Sequence, residues 1–406
     1  MPFYEELEDR GLVAQSTHPE ELRRRLAAGR VTLYTGFDPT ADSLHVGHLI
    51  PIMGLARAQR AGHRPIALMG GGTALVGDPS GRSEMRRMLT PETIAANIQG
   101  FRRQLGGFLD FSEGAALLVN NGDWLGKLNY LEMLRDIGSH FSVNRMLTAE
   151  CFKARLEQGL SFLEFNYMIL QAYDFLELYR VHGCALQLGG DDQWSNMLAG
   201  TELIRRVAGA DAFVLTYPLL TTSDGRKMGK TEKGAVWLDA NKTSPYEYYQ
   251  YWRNVPDDRV RVCLASFTFL LMDEVRRLTA QAGEELNAAK EVLAYEATML
   301  LHGAAAATAA RTAARAAFSG AGAAATLPAT EIAAASYPEG LSLIELLCLS
   351  GLAPSNREAR RLVAGGGIYI NGERVENGEA VVSPEKLRAG IELRKGKKVH
   401  HRLIAR

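Results

Sequence analysis

Two histidines flank a glycine in the stretch FDPTADSLHVGHLIP, residues 37–51. Because imidazole N–H groups donate hydrogen bonds to anionic oxygens, His45 and His48 are candidates for binding the phosphates of a nucleotide. Gly47 between them leaves room for a flat base against the backbone. Proline is tolerated in the first turn of a helix, so Pro51 predicts a helix that begins no earlier than about Gly47. The histidines then lie at a helix N-terminus, where the helix dipole favours an anion.

A second candidate for phosphate binding is the lysine-rich stretch TTSDGRKMGKTEKGAVWL, residues 221–238. Its lysines recur at three-residue intervals in a glycine-punctuated segment that follows a predicted strand. A P-loop needs four residues between its glycines, and only three separate Gly225 from Gly229, which argues against a P-loop nucleoside triphosphatase. The pattern instead predicts a mobile cationic loop that grips a polyphosphate or a departing pyrophosphate.

The third candidate is a polar stripe in the otherwise apolar segment FNYMILQAYDF. Tyr167, Gln171 and Asp174 are spaced four and three residues apart, so a helix presents all three on one face. A hydrogen-bonded polar cluster within a core is the ordinary interpretation of such a stripe, and a substrate-binding surface is the alternative.

These candidates require a scaffold, and the first half of the chain alternates apolar runs of strand length with amphipathic helical stretches. This alternation predicts an α/β fold, a Rossmann-like domain with a mostly parallel sheet and helices on both faces. Ligands of such sheets bind at the carboxyl ends of the strands. The predicted strands are residues 31–35, 65–69, 116–119, 184–188 and 213–217, and the predicted helices include 91–105 and 161–180.

After residue 243 the pattern becomes helical. A proline after Ser244 and a glutamate at position 247 form a helix start with a capping box, and helical periodicity continues to about residue 318. The Ala-rich stretch 304–335 predicts a helix end followed by a low-complexity linker. The sequence therefore predicts a catalytic domain at residues 1–243 and an α-helical domain at residues 244–320. A linker at residues 321–340 and a small α+β domain at residues 341–406 follow.

The last 66 residues are basic. Residues 341–406 contain 12 Lys and Arg against 7 Asp and Glu, a net charge of +5, in a chain whose total is zero. A basic module on a mildly acidic body indicates a polyanionic partner, and a solvated charged face is the alternative. Within this module Asn371-Gly372 predicts a β-hairpin, and Ser342 and Ser355 each begin a capping box.

The composition favours a soluble cytoplasmic protein. The chain has 406 residues, of which 47% are apolar and 23% are charged, and its length predicts two or three domains. Its four cysteines are far apart, which argues against a disulfide framework and a zinc site. The acidic N-terminus MPFYEELEDR does not resemble a signal peptide, and no run of about 18 apolar residues could span a membrane. No third ligand accompanies the two histidines, so we expect no metal site.

The two signatures, in this order, resemble those of the class I aminoacyl-tRNA synthetases. The sequence around these signatures is similar to that of bacterial tyrosyl-tRNA synthetases over nearly the whole chain, except for the Ala-rich stretch. The segments that carry this resemblance are YTGFDPTADSLHVGH, GDPSGR, FNYMILQAYDF, GGDDQW and KMGKTEKGAVWLD. Residues 341–406, with LSLIELLCLSGLAPSNREARRLVAGGGIYINGERV, resemble an RNA-binding domain that also occurs in a ribosomal small-subunit protein.

The resemblance implies that tyrosine reacts with ATP to give tyrosyl-adenylate and pyrophosphate, before its transfer to the 3′ end of tRNA(Tyr). It places tyrosine at Tyr34, Asp78, Tyr167, Gln171, Asp174 and Gln193. It places ATP at Gly36, Asp38, Pro39, Thr40, His45, Gly47, His48, Gly190, Asp192, Lys227, Met228, Gly229, Lys230 and Thr231. The expected catalytic residues, which stabilise the transferring phosphates, are Thr40, His45, His48, Lys227, Lys230 and Thr231. The expected RNA-binding residues are Arg357, Arg360, Arg361, Lys395, Lys397 and Lys398.

The resemblance further implies a homodimer, an anticodon-arm-binding role for residues 244–320, Mg²⁺ that accompanies ATP, and no tightly bound cofactor. Neither DNA nor a membrane is expected as a partner. The chain departs from the family at Gly229 in KMGKT, where serine is more common, and at Asp191, where a small residue is usual. Two alternatives stay open. One is a tryptophanyl-tRNA synthetase, against which Tyr34 and Asp174 argue, and the other is a synthetase-like RNA-binding protein that does not charge tRNA.

Overall fold

The structure, a computed structural model, covers most of the chain. It describes residues 1–80, 88–219, 228, 230–231, 234–280, 283–319, 329–333, 337–375, 377, 380–396 and 399–405. The chain divides into two compact units, Met1–Thr243 with Asn254–Leu293 and Ser244–Arg253 with Ala294–Arg406. Within the described ranges no helix is both long enough and apolar enough to cross a membrane.

Helices and strands alternate through the first half of the chain, as the hydrophobic pattern predicts. The helices are α1 (Phe3–Asp9), α2 (Pro19–Ala28), α3 (Leu49–Arg60), α4 (Pro91–Leu105), α5 (Gly122–Leu125), α6 (Tyr130–Glu132), α7 (Val143–Leu147), α8 (Glu150–Leu156), α9 (Phe162–His182), α10 (Trp194–Ala208), α11 (Pro245–Arg253), α12 (Val260–Phe267), α13 (Met272–Leu278), α14 (Leu286–Ser319), α15 (Leu343–Leu349), α16 (Asn356–Ala364) and α17 (Pro384–Ala389). The strands are β1 (Gln15–Ser16), β2 (Thr32–Phe37), β3 (Arg64–Met69), β4 (Leu117–Asn120), β5 (Cys184–Gly190), β6 (Phe213–Tyr217), β7 (Lys230–Thr231), β8 (Gly234–Ala235), β9 (Ala329–Ile332), β10 (Leu341–Ser342), β11 (Ile368–Ile370), β12 (Glu373–Arg374), β13 (Val381–Val382), β14 (Ile391–Lys395) and β15 (Val399–Ala405).

A six-stranded sheet forms the centre of the first unit, in the order β1-β6-β5-β2-β3-β4. Neighbouring strands from β2 to β6 run parallel, whereas the short β1 pairs antiparallel with β6. All five residues of β6 are buried, as expected when helices cover both faces of a parallel sheet. The Rossmann-like fold and the five predicted strands are confirmed.

The polar stripe lies on the long helix α9, whose ends are fixed by its own sequence. Ser161 caps the first turn, and Glu164 completes the capping box. The Glu164 carboxylate is 2% exposed and accepts two hydrogen bonds from the Arg155 guanidinium, at 3.0 and 3.1 Å. The helix ends at Gly183, whose φ of +61° is in the left-handed region that favours glycine. This helix is the predicted helix 161–180.

Helix α3, which begins at the first signature, is held near its other end by a buried arginine. The Arg57 side chain is almost fully buried, and its Nη2 atom donates to the carbonyl oxygens of Ala265, Ser266 and Thr268 at 3.0, 2.9 and 2.8 Å. Burial lowers the pKa of Arg57 to about 9. These contacts join α3 to the C-terminal end of α12 within the first unit.

The second unit contains a five-stranded sheet in the order β12-β11-β14-β15-β9. β9 runs parallel to β15, and the other neighbours are antiparallel. Helices α15, α16 and α17 contribute to its apolar core, which includes Leu343, Leu346, Leu347, Ala359, Val363, Ile368, Leu387, Ile391, Leu393 and Leu403. Asn371 and Gly372, with φ of +48° and +87°, form the predicted turn between β11 and β12.

The observed grouping differs from the predicted boundaries in two places. β9 lies in the stretch predicted to be a linker, and its Ile332 is 5% exposed in the core of the second unit. Residues 254–293, predicted to belong to a separate helical domain, group with the sheet of the first unit. Both differences have the same cause. The composition of a segment indicates whether it is a helix or a linker, whereas contacts with distant residues decide which core the segment joins.

Candidate active site

A cavity of about 470 Å³ lies at the carboxyl ends of β2, β3 and β5 in the first unit. This is the edge at which parallel α/β sheets bind their ligands. The cavity brings together most of the residues that the sequence nominated. Its lining includes Tyr34, Gly36, Asp38, Thr40, His45, His48, Asp78, Tyr167, Gln171, Asp174, Gly190, Asp192 and Gln193. Pro39 is buried and is not among the lining residues, and its carbonyl oxygen accepts from Asn97 Nδ2 at 2.9 Å.

The first signature forms a 3₁₀ turn over Val46–His48 that leads into α3, so the predicted helix N-terminus is confirmed. The His45 Nδ1 atom accepts from the Gly47 N–H at 3.0 Å, and the His48 Nδ1 atom accepts from the His45 N–H at 3.1 Å. Because each Nδ1 is an acceptor, a neutral ring carries its proton on Nε2, as a donor. A Cβ atom on Gly47 would lie 2.7 Å from the His45 ring, so the glycine makes room for this ring.

The end of the second signature pairs with the first signature through an isolated antiparallel bridge between His45 and Trp237. The Val46 N–H donates to the Val236 carbonyl at 2.9 Å, and the Leu238 N–H donates to the Leu44 carbonyl at 2.8 Å. Trp237 and Ala235 line the cavity. The two signatures are therefore adjacent, although they are far apart in the sequence.

Part of the second signature lies outside the described residues, including Lys227, Gly229 and Lys233. Met228 is described and is buried. The backbone of Lys230 and Thr231 forms β7, which pairs antiparallel with β8. Of the proposed phosphate-binding loop, the structure therefore describes Met228, the paired strands β7 and β8, and the segment that pairs with the first signature.

Asp38 is the centre of a hydrogen-bond network that joins three elements. Its Oδ2 atom accepts from the Tyr167 hydroxyl at 2.8 Å, and its Oδ1 atom accepts from Thr73 Oγ1 at 2.8 Å. The Thr73 hydroxyl in turn accepts from Asn121 Nδ2 at 3.0 Å. A Cβ atom on Gly70 would lie 2.0 Å from the Asp38 carboxylate, so this position requires glycine. The network fixes the orientation of Tyr167 on α9.

Asp174 lies at the buried end of the cavity, 2% exposed. Its two carboxylate oxygens accept from Trp124 Nε1 at 2.7 Å and from Asn121 Nδ2 at 2.8 Å. Burial raises the pKa of Asp174 to about 8, and these two hydrogen bonds act in the opposite direction. Tyr34 is 1% exposed, and its hydroxyl has no hydrogen-bond partner among the described residues. Burial and the nearby Asp174 carboxylate raise the pKa of Tyr34 well above its usual value.

The glutamine side chains that line the cavity differ in whether the protein satisfies their hydrogen-bonding groups. Gln193 donates through Nε2 to Asp78 Oδ2 at 2.8 Å, and Asp78 Oδ1 accepts from the Ser80 N–H at 2.9 Å. By contrast, the Oε1 atoms of Gln171 and Gln187 are buried and accept no hydrogen bond from any described residue. A buried polar atom without a partner is unfavourable, so these oxygens point to a ligand that donates to them.

The turn GGDDQ, residues 189–193, connects β5 to α10 and contains a 3₁₀ turn over Asp191–Gln193. Gly190, Asp192 and Gln193 line the cavity, whereas Asp191 does not. The Asp191 Oδ1 atom instead accepts from Gln15 Nε2 at 2.7 Å and from Thr216 Oγ1 at 2.8 Å. The carboxylate that departs from the family pattern therefore faces β1 and β6.

The RNA-binding candidates lie in the second unit. Arg357, Arg360 and Arg361 are exposed on α16, which buries Ala359 and Val363 on its other side. Lys395 is partly buried and donates to the Leu352 carbonyl at 3.1 Å. Lys397 and Lys398 lie outside the described residues.

Sequence reasoning missed the residues that orient the nominated ones, above all Thr73, Asn121 and Trp124. A signal for two of them was present, because NNGDW, residues 120–124, follows a predicted strand and must reach the same edge of the sheet. Among the described residues, no group of three or more His, Cys, Asp or Glu side chains is placed to hold a metal ion.

Known families match both parts of the chain. The tRNA synthetases class I (W and Y) match residues 26–319, and the C-terminal domain of the tyrosine–tRNA ligases matches residues 321–403. The tyrosine–tRNA ligase of Caldanaerobacter subterraneus subsp. tengcongensis is 56% identical over the full length of both chains. The chain belongs to the tyrosine–tRNA ligase family. The ligase of Acetivibrio thermocellus is 54% identical over 98% of both chains.

Solved structures agree with this membership. A C-terminally truncated mitochondrial tyrosyl-tRNA synthetase from Aspergillus nidulans is 33% identical, with a TM-score of 0.70 over 77% of this chain and 93% of that chain. A tryptophanyl-tRNA synthetase from Encephalitozoon cuniculi is 14% identical, with a TM-score of 0.57 over 76% of this chain and 87% of that chain. The latter likeness shows a common fold alone.

Proposed function

We propose that this chain is a tyrosine–tRNA ligase in which Tyr34 and Asp174 select the amino acid by its phenolic hydroxyl. The observation that carries the proposal is the Tyr34 hydroxyl, which is buried and has no hydrogen-bond partner among the described residues, beside the buried Asp174 carboxyl. A phenolic hydroxyl can donate and accept at once, so tyrosine satisfies both groups. Phenylalanine offers Asp174 no further hydrogen bond and leaves the Tyr34 hydroxyl without a partner, in a site from which its ring excludes water, which is unfavourable.

The other polar groups that line the cavity are suited to the ammonium and carboxylate groups of tyrosine. We assign its ammonium group to Tyr167, Gln171 and Asp78, because an ammonium ion donates and the buried Gln171 Oε1 atom needs a donor. We assign its carboxylate to the vicinity of Gln193, whose amide is oriented by Asp78. Tyrosine then spans the cavity with its carboxylate toward the signatures.

ATP occupies the region of the two signatures in this proposal. A tyrosine carboxylate oxygen attacks the α-phosphorus in line, the bond from that phosphorus to the β-phosphate bridging oxygen breaks, and pyrophosphate leaves with the bond's electron pair. His45 and His48 donate through Nε2 to the phosphate oxygens, and Thr40 adds a hydroxyl. Catalysis of this kind consists of positioning and electrostatic stabilisation.

The other candidate ATP-binding residues are assigned to the α-phosphate, the ribose and the departing pyrophosphate. ATP enters as its magnesium complex. The part of the ATP site around the α-phosphate is assigned to Gly36, Asp38, Pro39 and Gly47. The ribose is assigned to Gly190 and Asp192. Lys227, Lys230 and Thr231, with the backbone at Met228 and Gly229, are assigned to the departing pyrophosphate.

The basic face of α16 is assigned to tRNA(Tyr). Arg357, Arg360 and Arg361 are exposed on one short helix, an arrangement that suits phosphate contacts. Lys395, Lys397 and Lys398 extend this surface in the proposal, and helices within residues 244–320 contact the anticodon arm. We propose that the protein works in the cytoplasm, which is consistent with four free cysteines.

A homodimer is supported by a group of exposed apolar side chains in the first unit. Leu131 and Phe162 are 73% and 69% exposed, and the same part of the chain exposes Tyr130, Leu134, Val143, Leu147, Leu156 and Leu163. Where exposed apolar side chains form a contiguous patch on a folded protein, the patch usually marks an interface. In sedimentation experiments, Leu131→Asp with Phe162→Asp should convert a dimer to monomers, and Leu271→Asp, which alters an exposed leucine elsewhere, should not. Sedimentation of the wild type as a monomer would contradict the dimer, and sedimentation of all three proteins as dimers would contradict this interface.

The function is tested by tyrosine-dependent exchange of labelled pyrophosphate into ATP, with phenylalanine and tryptophan in parallel. Exchange with tyrosine alone is expected. Exchange with tryptophan would overturn the pocket assignment, and absence of exchange would leave an RNA-binding protein without synthetase activity. Lys230→Ala should slow exchange while tyrosine affinity, measured by equilibrium dialysis, stays within about twofold, since a phosphate contact acts on the transition state.

A further inference from the structure

Asp191 occupies a turn whose neighbouring residues face the cavity. The turn is 3₁₀, with three residues per turn, so consecutive side chains point in directions about 120° apart. Asp191 faces β6 and β1, and Asp192 lines the cavity beside Gly190, where a Cβ atom would lie 2.8 Å from the Asp192 carboxylate. The direction of Asp191 therefore constrains the direction of Asp192.

The partners of Asp191 are themselves oriented. The Thr216 hydroxyl is on β6, 0% exposed, and accepts from the Gln15 N–H at 3.1 Å. Since a hydroxyl has one proton, that proton is left for the Asp191 carboxylate, to which it donates at 2.8 Å. Gln15 Nε2 provides a second donor to the same carboxylate oxygen at 2.7 Å. One carboxylate thus connects the turn after β5 with both β6 and β1.

We propose that Asp191 is a positioning residue for the nucleotide. Its two hydrogen bonds hold the turn so that Asp192 presents its carboxylate to the ribose hydroxyls, and the edge strand β1 becomes part of the support for the ATP subsite. This inference rests on the proposed assignment of Asp192 to the ribose. It also explains how a second carboxylate is accommodated next to a nucleotide: hydrogen bonds direct it away from the cavity.

The test compares two nucleotides in the tyrosine-dependent exchange assay with the full-length enzyme. ATP has the ribose hydroxyls, and 2′,3′-dideoxyATP lacks them. Asp191→Ala should raise the KM for ATP about tenfold, the effect of about one lost hydrogen bond between Asp192 and the ribose, and should leave the KM for dideoxyATP unchanged. The preference for ATP over dideoxyATP therefore falls by the same factor. A general loss of structure would instead raise the KM for both nucleotides by the same factor.

Three further variants sharpen the test. Asp191→Asn keeps an acceptor oxygen for Gln15 and Thr216, so it should recover most of the preference for ATP. Gln15→Met removes one of the two donors at an exposed position and should have a smaller effect in the same direction. Asp211→Ala removes an exposed carboxylate just before β6 and should change neither KM.

Several results would overturn the proposal. These are an unchanged KM for ATP in Asp191→Ala, an equal rise in both nucleotides' KM, or an Asp191→Asn variant as impaired as Asp191→Ala. Asp192→Ala separates this inference from the proposed function. If Asp192→Ala keeps the wild-type preference for ATP, the ribose assignment fails and the inference fails with it. If Asp192→Ala loses that preference but Asp191→Ala keeps it, the inference alone fails.

Discussion

The buried end of the cavity and the outer face of α16 are both polar, but they differ in how much water reaches them. Asp174 is 2% exposed, accepts from two oriented donors, and has a pKa raised to about 8. The arginines of α16 are exposed, and Arg361 forms an ion pair with Glu358 one turn away. Ionisable side chains therefore lie in two different electrostatic environments in the two regions.

The difference determines what each region can recognise. In a buried site each donor needs an acceptor, so a single hydroxyl on the ligand decides between binding and exclusion. On an exposed helix individual contacts are weak and screened by salt, so the number of charges matters more than any one position. In the proposed function, amino-acid selection is therefore assigned to the cavity, and attachment of a long polyanion is assigned to the helix.

The strongest test of this comparison is Asp174→Asn. Asn121 and Trp124 both donate to residue 174, so an asparagine must place its own NH₂ group opposite one of them. We expect kcat/KM for tyrosine in pyrophosphate exchange to fall about 100-fold or more, since a buried hydrogen-bond network is broken. Asp136→Asn, at an exposed position, is the control. A decrease of less than about threefold would contradict the role of Asp174.

The second test compares a buried arginine with an exposed one. Arg57→Met removes the donor to three buried carbonyl oxygens and should lower the free energy of unfolding by about 3 kcal/mol. Arg103→Met on the exposed face of α4 should have little effect on stability. Urea unfolding followed by tryptophan fluorescence measures both variants. Equal midpoints for the two variants would show that the α3–α12 contact does not stabilise the fold.

The third test uses pH. Burial raises the pKa of Asp174 to about 8, whereas in the unfolded chain the pKa of this carboxyl is about 4. Between these values the folded state binds a proton that the unfolded state has released. The Asp174 contribution to stability therefore falls as pH rises, by up to about 1.4 kcal/mol per pH unit.

This dependence is measured by urea unfolding of the unliganded protein at pH 5, 6 and 7. Relative to Asp174→Asn, which has no proton to lose, the wild type should become less stable at each step. Other titrating groups occur in both proteins and cancel in the comparison. A stability difference that is constant across these pH values would contradict the raised pKa.

The smallest effect is expected on α16. Arg357→Gln with Arg360→Gln should reduce tRNA charging about tenfold at moderate salt and decrease the salt dependence of tRNA binding, because two phosphate contacts are lost. Pyrophosphate exchange should be unaffected. Arg102→Gln with Arg103→Gln on α4 is the matched control, which removes two exposed charges from the first unit. Equal losses in charging for both pairs would remove the special role of α16.

The local features of the fold were predictable from the sequence. Alternating apolar runs predicted five strands of the sheet, Pro51 located the start of α3, and Asn371-Gly372 located a hairpin. These features depend on residues a few positions apart, because helix capping, proline geometry and turn conformation are local properties. The spacing of Tyr167, Gln171 and Asp174 likewise predicted their common helix face.

Contacts between distant segments were decided by the tertiary structure. The donors to Asp174 come from the segment after β4, the partners of Asp191 come from β1 and β6, and β9 joins a sheet from within a predicted linker. Each depends on which strands become neighbours, and strand order is not encoded in any short stretch of sequence. The sequence by itself therefore determined which side chains are available for chemistry, and the packing of the sheet decided which of them meet.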